Sequence, residues 1–199
     1  MSEIKLIVLD FHGIMVKGDY SAVSKMLAKK HHVPWKDIFE ILYKKYFRQA
    51  VVGEIPERDV YLKTFRHFGW REDWKKVHAY HKNAMVLNRG IFKMARRLQD
   101  DGYTILLLTQ NTPDQVKTYN KRFGLPRYFK HIVNTFDLGV HKSSPQTIKW
   151  ILKKFKVKAE QVVFCDDQES NLVEPGKFGM RTVLYKNFKQ FNKELTNHL

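Results

Sequence analysis

Four short apolar runs, each delivering a polar residue at its end, set the frame for the whole chain. They are "IKLIVLD" (4–10), "YTILLLT" (103–109), "HIVNTF" (131–136) and "QVVFCDD" (161–167), with a shorter fifth, "RTVLY" (181–185). Continuous apolar runs of this length, bounded by turn residues, predict strands buried on both faces. From residue 90 onward helical patterns alternate with them, which predicts βαβ units around a mainly parallel sheet. "TPDQVKTYNKRFG" offers Thr112 as N-cap, Pro113 at the first helical position and Gly124 at the end. "SPQTIKWILKKF" repeats the pattern with Ser144 and Pro145, and Ile148, Ile151, Leu152 and Phe155 form its core-facing stripe.

Between the first two strands the periodicity is helical throughout, from about 16 to 88, with apolar positions such as Ile38, Ile41, Leu42 and Tyr46. Gly53 and Pro56 in "VVGEIPERD" interrupt it, so two helical pairs are expected to meet there. Such a stretch exceeds an ordinary strand-to-helix loop and predicts an all-α subdomain inserted into the α/β fold. The expected division is a Rossmann-like, doubly wound core from residues 1–15 and 89–199, and a helical subdomain from 16–88.

Composition narrows the class. The chain has 199 residues, enough for one well-packed core with a modest insertion. No apolar stretch approaches the ~20 residues that span a bilayer, and no signal-peptide pattern is present. Cys165 is the lone cysteine, which excludes an internal disulfide framework and fits a reducing compartment. The expectation is a soluble, cytoplasmic protein with no membrane contact. The net charge of +16 is spread over helical segments such as "LKKFKVK" (152–158), and it reads as solvated basic faces. It also allows weak, non-specific attraction to nucleic acid.

In a doubly wound sheet, ligands bind beyond the carboxyl ends of the strands. The residues placed there are Asp10, Thr109-Gln110-Asn111 and Asp166-Asp167, with Lys142 just ahead of a helix. Two or three carboxylates suit a hard oxygen-seeking cation such as Mg²⁺. A lysine and a hydroxyl beside it suit a phosphoryl group, and Asp10 is then a candidate nucleophile.

The order and spacing resemble the haloacid dehalogenase (HAD) superfamily, in "LIVLDFHG", "ILLLTQN", "GVHKSSPQTI" and "VVFCDDQESNLVEPGKFGM". "VVGEIPERDVY" is similar to the helical cap that one subgroup carries between its first two motifs. The resemblance implies a Mg²⁺-dependent hydrolase acting on a small phosphorylated metabolite through an aspartyl-phosphate. In it Asp10 is nucleophile and metal ligand, Asp167 the second carboxylate on the metal, and Asp166 an outer partner. Thr109 and Lys142 hold phosphoryl oxygens, Lys142 also restrains Asp10, and Gln110 and Asn111 face or orient substrate. The cap closes over the site and selects the substrate.

Two positions depart from the family pattern. Its phosphatases read Asp-x-Asp-x-Thr, and here His12 and Ile14 stand at the third and fifth places. The backbone carbonyl of His12 still serves as a metal ligand. Its side chain either replaces the missing acid as general acid/base, with an optimum on the acid side of neutrality, or only fills space. Relatives that cleave C–P bonds or remove halogens also lack the second acid, but the retained Asp166-Asp167 pair separates this chain from the metal-free dehalogenases. The alternative is a catalytically weak or silent member that binds a phosphorylated ligand, RNA or a protein partner. Elsewhere, His78 and His81 are expected to be exposed helix histidines unaccompanied by an acid, rather than a metal pair. Cys165 reads as a core thiol, Trp35, Trp70 and Trp74 as packing, and Gly13 as the turn out of the first strand.

Overall fold

The computed structural model describes residues 3–18 and 20–199. Five parallel strands form its central sheet: β1 (Leu6–Asp10), β4 (Thr104–Thr109), β5 (His131–Asn134), β6 (Val162–Asp166) and β7 (Arg181–Leu184). Their spatial order is β5-β4-β1-β6-β7, so the chain winds outward from β1 in both directions. All five residues of β1 are buried, and the pleat divides them. Ile7 and Leu9 pack with Ile105, Leu107, Val163 and Val183 on one face. Leu6 and Val8 pack with Leu106, Leu108, Val162 and Phe164 on the other.

Helices cover both faces. The apolar stripe of α6 (Arg89–Asp100), namely Ile91, Met94, Ala95 and Leu98, lies on the first face with Phe191 and Leu195 of α10 (Phe188–Thr196). Ile148 and Ile151 of α8 (Pro145–Phe155) lie on the second, with Leu172 and Met180. The caps read from sequence are in place. Thr112 accepts from the Gln115 amide at the start of α7 (Pro113–Phe123), Gly124 ends that helix at φ 62°, and Ser144 accepts from the Thr147 amide. The third strand is shorter than its sequence suggests. It stops at Asn134, whose side chain turns the chain into a 3₁₀ segment (Thr135–Leu138) that contains Asp137.

The stretch after β1 folds into α1 (Tyr20–His31), α2 (Trp35–Phe39), α3 (Arg48–Ala50), α4 (Glu57–Phe68) and α5 (Trp74–Ala84). Between α2 and α3 the helix continues without a break as a π-helix (Glu40–Phe47). Tyr20, Val23, Leu27, Ile38, Leu42, Phe47, Val60, Tyr61, Phe65 and Val77 give this insertion an apolar core of its own. The chain enters and leaves it through β2 (Val16–Lys17) and β3 (Val86–Leu87), which pair antiparallel. Gly18 follows at φ +88°, where a Cβ would stand 2.0 Å from the Ala84 carbonyl oxygen, so the crossing admits only glycine. No helix among the described residues is long and apolar enough to cross a membrane.

Candidate active site

The strand ends bring the sequence-predicted acids together. Asp10 ends β1, Thr109 ends β4 and Asp166 ends β6, so all three emerge on one edge of the sheet. Asp10, Asp166 and Asp167 each present an atom within 4.8 Å of the others. Lys142, from the loop before α8, places Nζ 2.6 Å from Asp10 Oδ1 and 2.7 Å from Asp166 Oδ2. Asp10, Asp166 and Lys142 are all buried. Asp166 is committed to the protein on both oxygens, since Oδ1 accepts from the Gln168 amide and from Asn171 Nδ2, each at 2.9 Å. It therefore shapes the loop behind the cluster, while Asp10 and Asp167 face the cleft.

Lys142 pairs with two of the three clustered carboxylates, and the electrostatics show their crowding. Burial lifts the Asp10 carboxyl well above its usual range, and the charges of Asp166 and Asp167 push it further, against the pull of Lys142. Burial opposes the charge on Lys142, but Asp10 and Asp166 outweigh it and hold its pKa above that of an ordinary lysine. Closely spaced carboxylate oxygens, those of Asp10 and Asp166 buried, fit a small divalent cation.

Gly13 makes this cluster possible by close approach as well as by its turn. At φ +89°, a Cβ there would lie 2.1 Å from Asp167 Oδ2. Gly13→Ala is therefore expected to displace Asp167 and to weaken by about 10- to 100-fold any Mg²⁺ binding at this cluster. Calorimetric titration of the folded variant with Mg²⁺ checks this, and wild-type affinity would overturn it.

His12 is held from an unexpected side. Its Nδ1 lies 2.7 Å from Asn111 Nδ2, which also donates to Thr109 Oγ1 at 3.0 Å. Asn111 is itself fixed through its backbone, its N–H donating to Asn134 Oδ1 and its carbonyl accepting from Asn134 Nδ2. An amide nitrogen only donates, so Nδ1 accepts and the ring proton sits on Nε2. The ring packs edge-on to Phe11 and Tyr119. Burial, aided by the Lys142 charge, pushes the imidazole down to about 3. Burial thus favours the neutral imidazole, whereas the acid/base reading of His12 requires a group that takes up a proton near neutrality.

The remaining sequence candidates divide. Gln110 serves the lysine loop, its Oε1 accepting from the Lys142 amide at 3.1 Å and its Nε2 meeting His141 Nδ1. Thr109 is buried behind Asn111 and does not line the cleft. The cleft, about 330 Å³, is floored by Asp10, His12, Lys142 and Asp167 and walled on its far side by Tyr20, Tyr43, Phe47, Arg48 and Val51 of the insertion. Sequence reasoning did not single out these five residues, nor His141 and Gln168 beside them. Tyr43 also touches the opposite wall, its hydroxyl accepting from Gln168 Nε2 at 3.3 Å.

Two expectations need correction. His81 is fully buried, 2.9 Å from the Tyr61 hydroxyl, rather than exposed. His78 does have an acid, with Nε2 3.2 Å from Glu57 Oε1. Glu57 ties the insertion to the core, accepting from Thr112 Oγ1 and, at 2.6 Å, from Gln115 Nε2. Gln115 also donates to the Tyr20 hydroxyl at 2.7 Å and accepts from Tyr119 at 2.6 Å, which leads to the His12 ring. Burial would raise the Glu57 carboxyl, yet hydrogen bonds from His78, Thr112 and Gln115 hold it below its ordinary value. Cys165 is a buried core thiol whose pKa burial drives up.

The sequence model of the haloacid dehalogenase-like hydrolases matches residues 5–185. Rat bifunctional epoxide hydrolase 2 is 29% identical over 116 residues, which cover 56% of this chain and 21% of that protein. The glyceraldehyde 3-phosphate phosphatase of Pyrococcus furiosus is 32% identical over 116 residues, covering 55% of this chain and 48% of that one. The matched stretch thus spans between about a fifth and a half of these relatives. In fold, the chain is similar to a HAD family enzyme from Bacteroides thetaiotaomicron solved with magnesium and inorganic phosphate. That likeness has a TM-score of 0.72 at 18% identity, over 92% of this chain and 94% of the other.

Proposed function

Because the chain belongs to the haloacid dehalogenase-like hydrolases, we propose that it is a Mg²⁺-dependent phosphatase that cleaves a small phosphorylated compound through an aspartyl-phosphate at Asp10. The observation that carries this reading is the buried Lys142–Asp10 pair, 2.6 Å apart, on the floor of a cleft that also holds Asp167. Asp10, Asp167 and the backbone carbonyl of His12 would hold the metal. When bound, Mg²⁺ supplies charge neutralisation, letting an anionic nucleophile meet an anionic phosphoryl group.

An Asp10 oxygen forms a bond to phosphorus, and the ester P–O bond breaks with its electron pair on the departing oxygen. Lys142 orients the attacking carboxylate and, as the phosphoryl group arrives, donates to its oxygens. Water then attacks phosphorus, the Asp10–phosphorus bond breaks, and phosphate leaves with the carboxylate restored. The helical insertion acts as the cap, excluding bulk water and presenting Tyr43, Phe47 and Arg48 to the substrate.

The neutral His12 sets the character of this catalyst. Its Nε2–H lends a hydrogen bond to the departing oxygen but does not deliver a full proton as a carboxylic acid would, so that proton comes from solvent. Aryl and acyl phosphates are expected to turn over well and simple alkyl phosphates poorly. His12→Asp should raise turnover of alkyl phosphates by about 10²-fold, the scale of general acid catalysis. Equal wild-type rates for matched aryl and alkyl esters would overturn this account of His12.

The neutral His12 also favours a second reading, a site that binds phosphorylated ligands and turns them over very slowly. Phosphate release from a panel of phosphomonoesters, with Mg²⁺ and with EDTA, separates the two. Metal-dependent release from any of them supports the phosphatase. No release from any, with binding of inorganic phosphate retained, supports the second reading.

A further inference from the structure

The wall that the insertion contributes to the cleft has a definite chemistry. The π-helix carries Tyr43 and Phe47, and Arg48 follows directly at the start of α3. In i→i+5 bonding the turn is wider than in an α-helix, so the fifth residue onward returns close to the face of the first. Tyr43, Phe47 and Arg48 thereby line the same cleft, where an α-helical pitch would carry Arg48 away from Tyr43.

The aromatic members are fixed in place. Tyr43 and Phe47 stack with ring centroids 5.4 Å apart, and Phe39 extends the stack at 4.8 Å from Tyr43. Tyr20 closes against Phe47 at 4.4 Å. Arg48 differs from them in two respects. It is the charged residue on this wall, and among the described residues its guanidinium makes no hydrogen bond or ion pair. The cation on the floor of the cleft, Lys142, is already held by Asp10 and Asp166. The cleft therefore has an anchored phosphoryl end, a flat apolar middle and an uncommitted guanidinium at its rim.

We propose that the substrate is a phosphomonoester with an apolar or planar body that lies along Tyr43 and Phe47 and ends in a second anionic group paired with Arg48. The inference rests on the phosphatase reading for its first anchor, and it assigns the substrate class of that same site. The group at Arg48 is recognised by its anionic oxygens, which a carboxylate or a second phosphoryl group supplies equally; both present the forked acceptor geometry that a guanidinium matches.

The test compares phenyl phosphate with its 4-carboxymethyl and 4-phosphonomethyl derivatives, whose leaving groups are alike. With Mg²⁺ present, kcat/KM for at least one anionic derivative should exceed that for phenyl phosphate by about tenfold or more, the scale of a charge-assisted pair. The preferred derivative identifies the source of the anion. In Arg48→Met that ratio should fall to within about twofold of unity, and Arg48→Lys should recover part of it. A wild-type ratio near one, or a ratio unchanged in Arg48→Met, overturns the inference while leaving the phosphatase reading intact. Absence of turnover on all three esters counts against the phosphatase reading instead. Calorimetric binding of phenylphosphonate and of 4-carboxymethyl and 4-phosphonomethyl phenylphosphonate, to wild type and Arg48→Met, then decides the inference: an Arg48-dependent gain for an anionic probe sustains it, and equal affinities overturn it.

Discussion

Asp10→Asn is expected to lower Mg²⁺-dependent kcat by about 10⁴-fold or more, the scale on which enzymes lose activity with their nucleophile. It should do so while making the metal-free protein more stable. The two effects share one cause. Asp10 is one of three clustered carboxylates, two of which share the Lys142 ammonium, and burial with its acidic neighbours raises its pKa in the folded chain. A carboxyl whose folded pKa is raised stabilises the fold while protonated, and that benefit is lost as pH rises through the folded value. At neutral pH the ionised Asp10 is therefore a cost, and the isosteric amide removes it. The expected result is a higher Tm for Asp10→Asn at pH 7 in EDTA, with a gain that narrows as pH falls and the wild-type carboxyl protonates. Thermal unfolding across that pH range, beside phosphate release, checks both halves. Retained turnover would reject Asp10 as nucleophile, and a lower Tm at pH 7 would reject the destabilising crowding.

Lys142→Met should act in the opposite direction on stability. It removes the one ammonium that touches Asp10 and Asp166 and leaves both carboxylates buried without their counterion. Breaking a buried pair in this way costs about 3–5 kcal/mol. Lys142 stays protonated because its folded pKa is raised, so its contribution is present throughout the neutral range and is lost only in strong alkali. In the variant the loss should be greater at pH 7 than at pH 5, because falling pH protonates the Asp10 carboxyl, whose pKa burial raises. Denaturant unfolding at the two pH values, in EDTA, gives the difference; a pH-independent loss would mean that Lys142 acts through packing alone. Phosphate release should fall with the same substitution, since the nucleophile loses its restraint.

Much of this site is legible in the chain because it is encoded locally. Asp10, Thr109 and Asp166 each end an apolar run, and a buried parallel strand must release its polar terminus at the sheet edge. Lys142 is placed by the Ser144-Pro145 start of the next helix. What was not legible depends on contacts between distant segments or on departures from the ordinary helical period. The state of His12 is set by Asn111, 99 positions away, and by enclosure against Tyr119. Glu57 reads as a first-turn acid of α4, and only the fold reveals its bonds to Thr112 and Gln115. His81 precedes Lys82 and Asn83 and reads as exposed, yet it closes on Tyr61 and Tyr20. The π-helical turn shifts the register of Glu40–Phe47, so a 3.6-residue period could not have placed Tyr43, Phe47 and Arg48 on one wall.

The antiparallel pairing of β2 with β3 sets Lys17 directly beside Val86, so the two ends of the insertion leave the sheet at neighbouring strand positions. A two-residue hairpin turn from Lys17 to Val86 would close that gap without disturbing β1 or β4. The helical segment has its own apolar interior and one chain crossing, with Glu57, Tyr20 and Tyr43 adding side-chain bonds to the core. On the proposed reading, variation in this insertion alters what meets the substrate while Asp10, Lys142 and the paired aspartates stay where the sheet puts them.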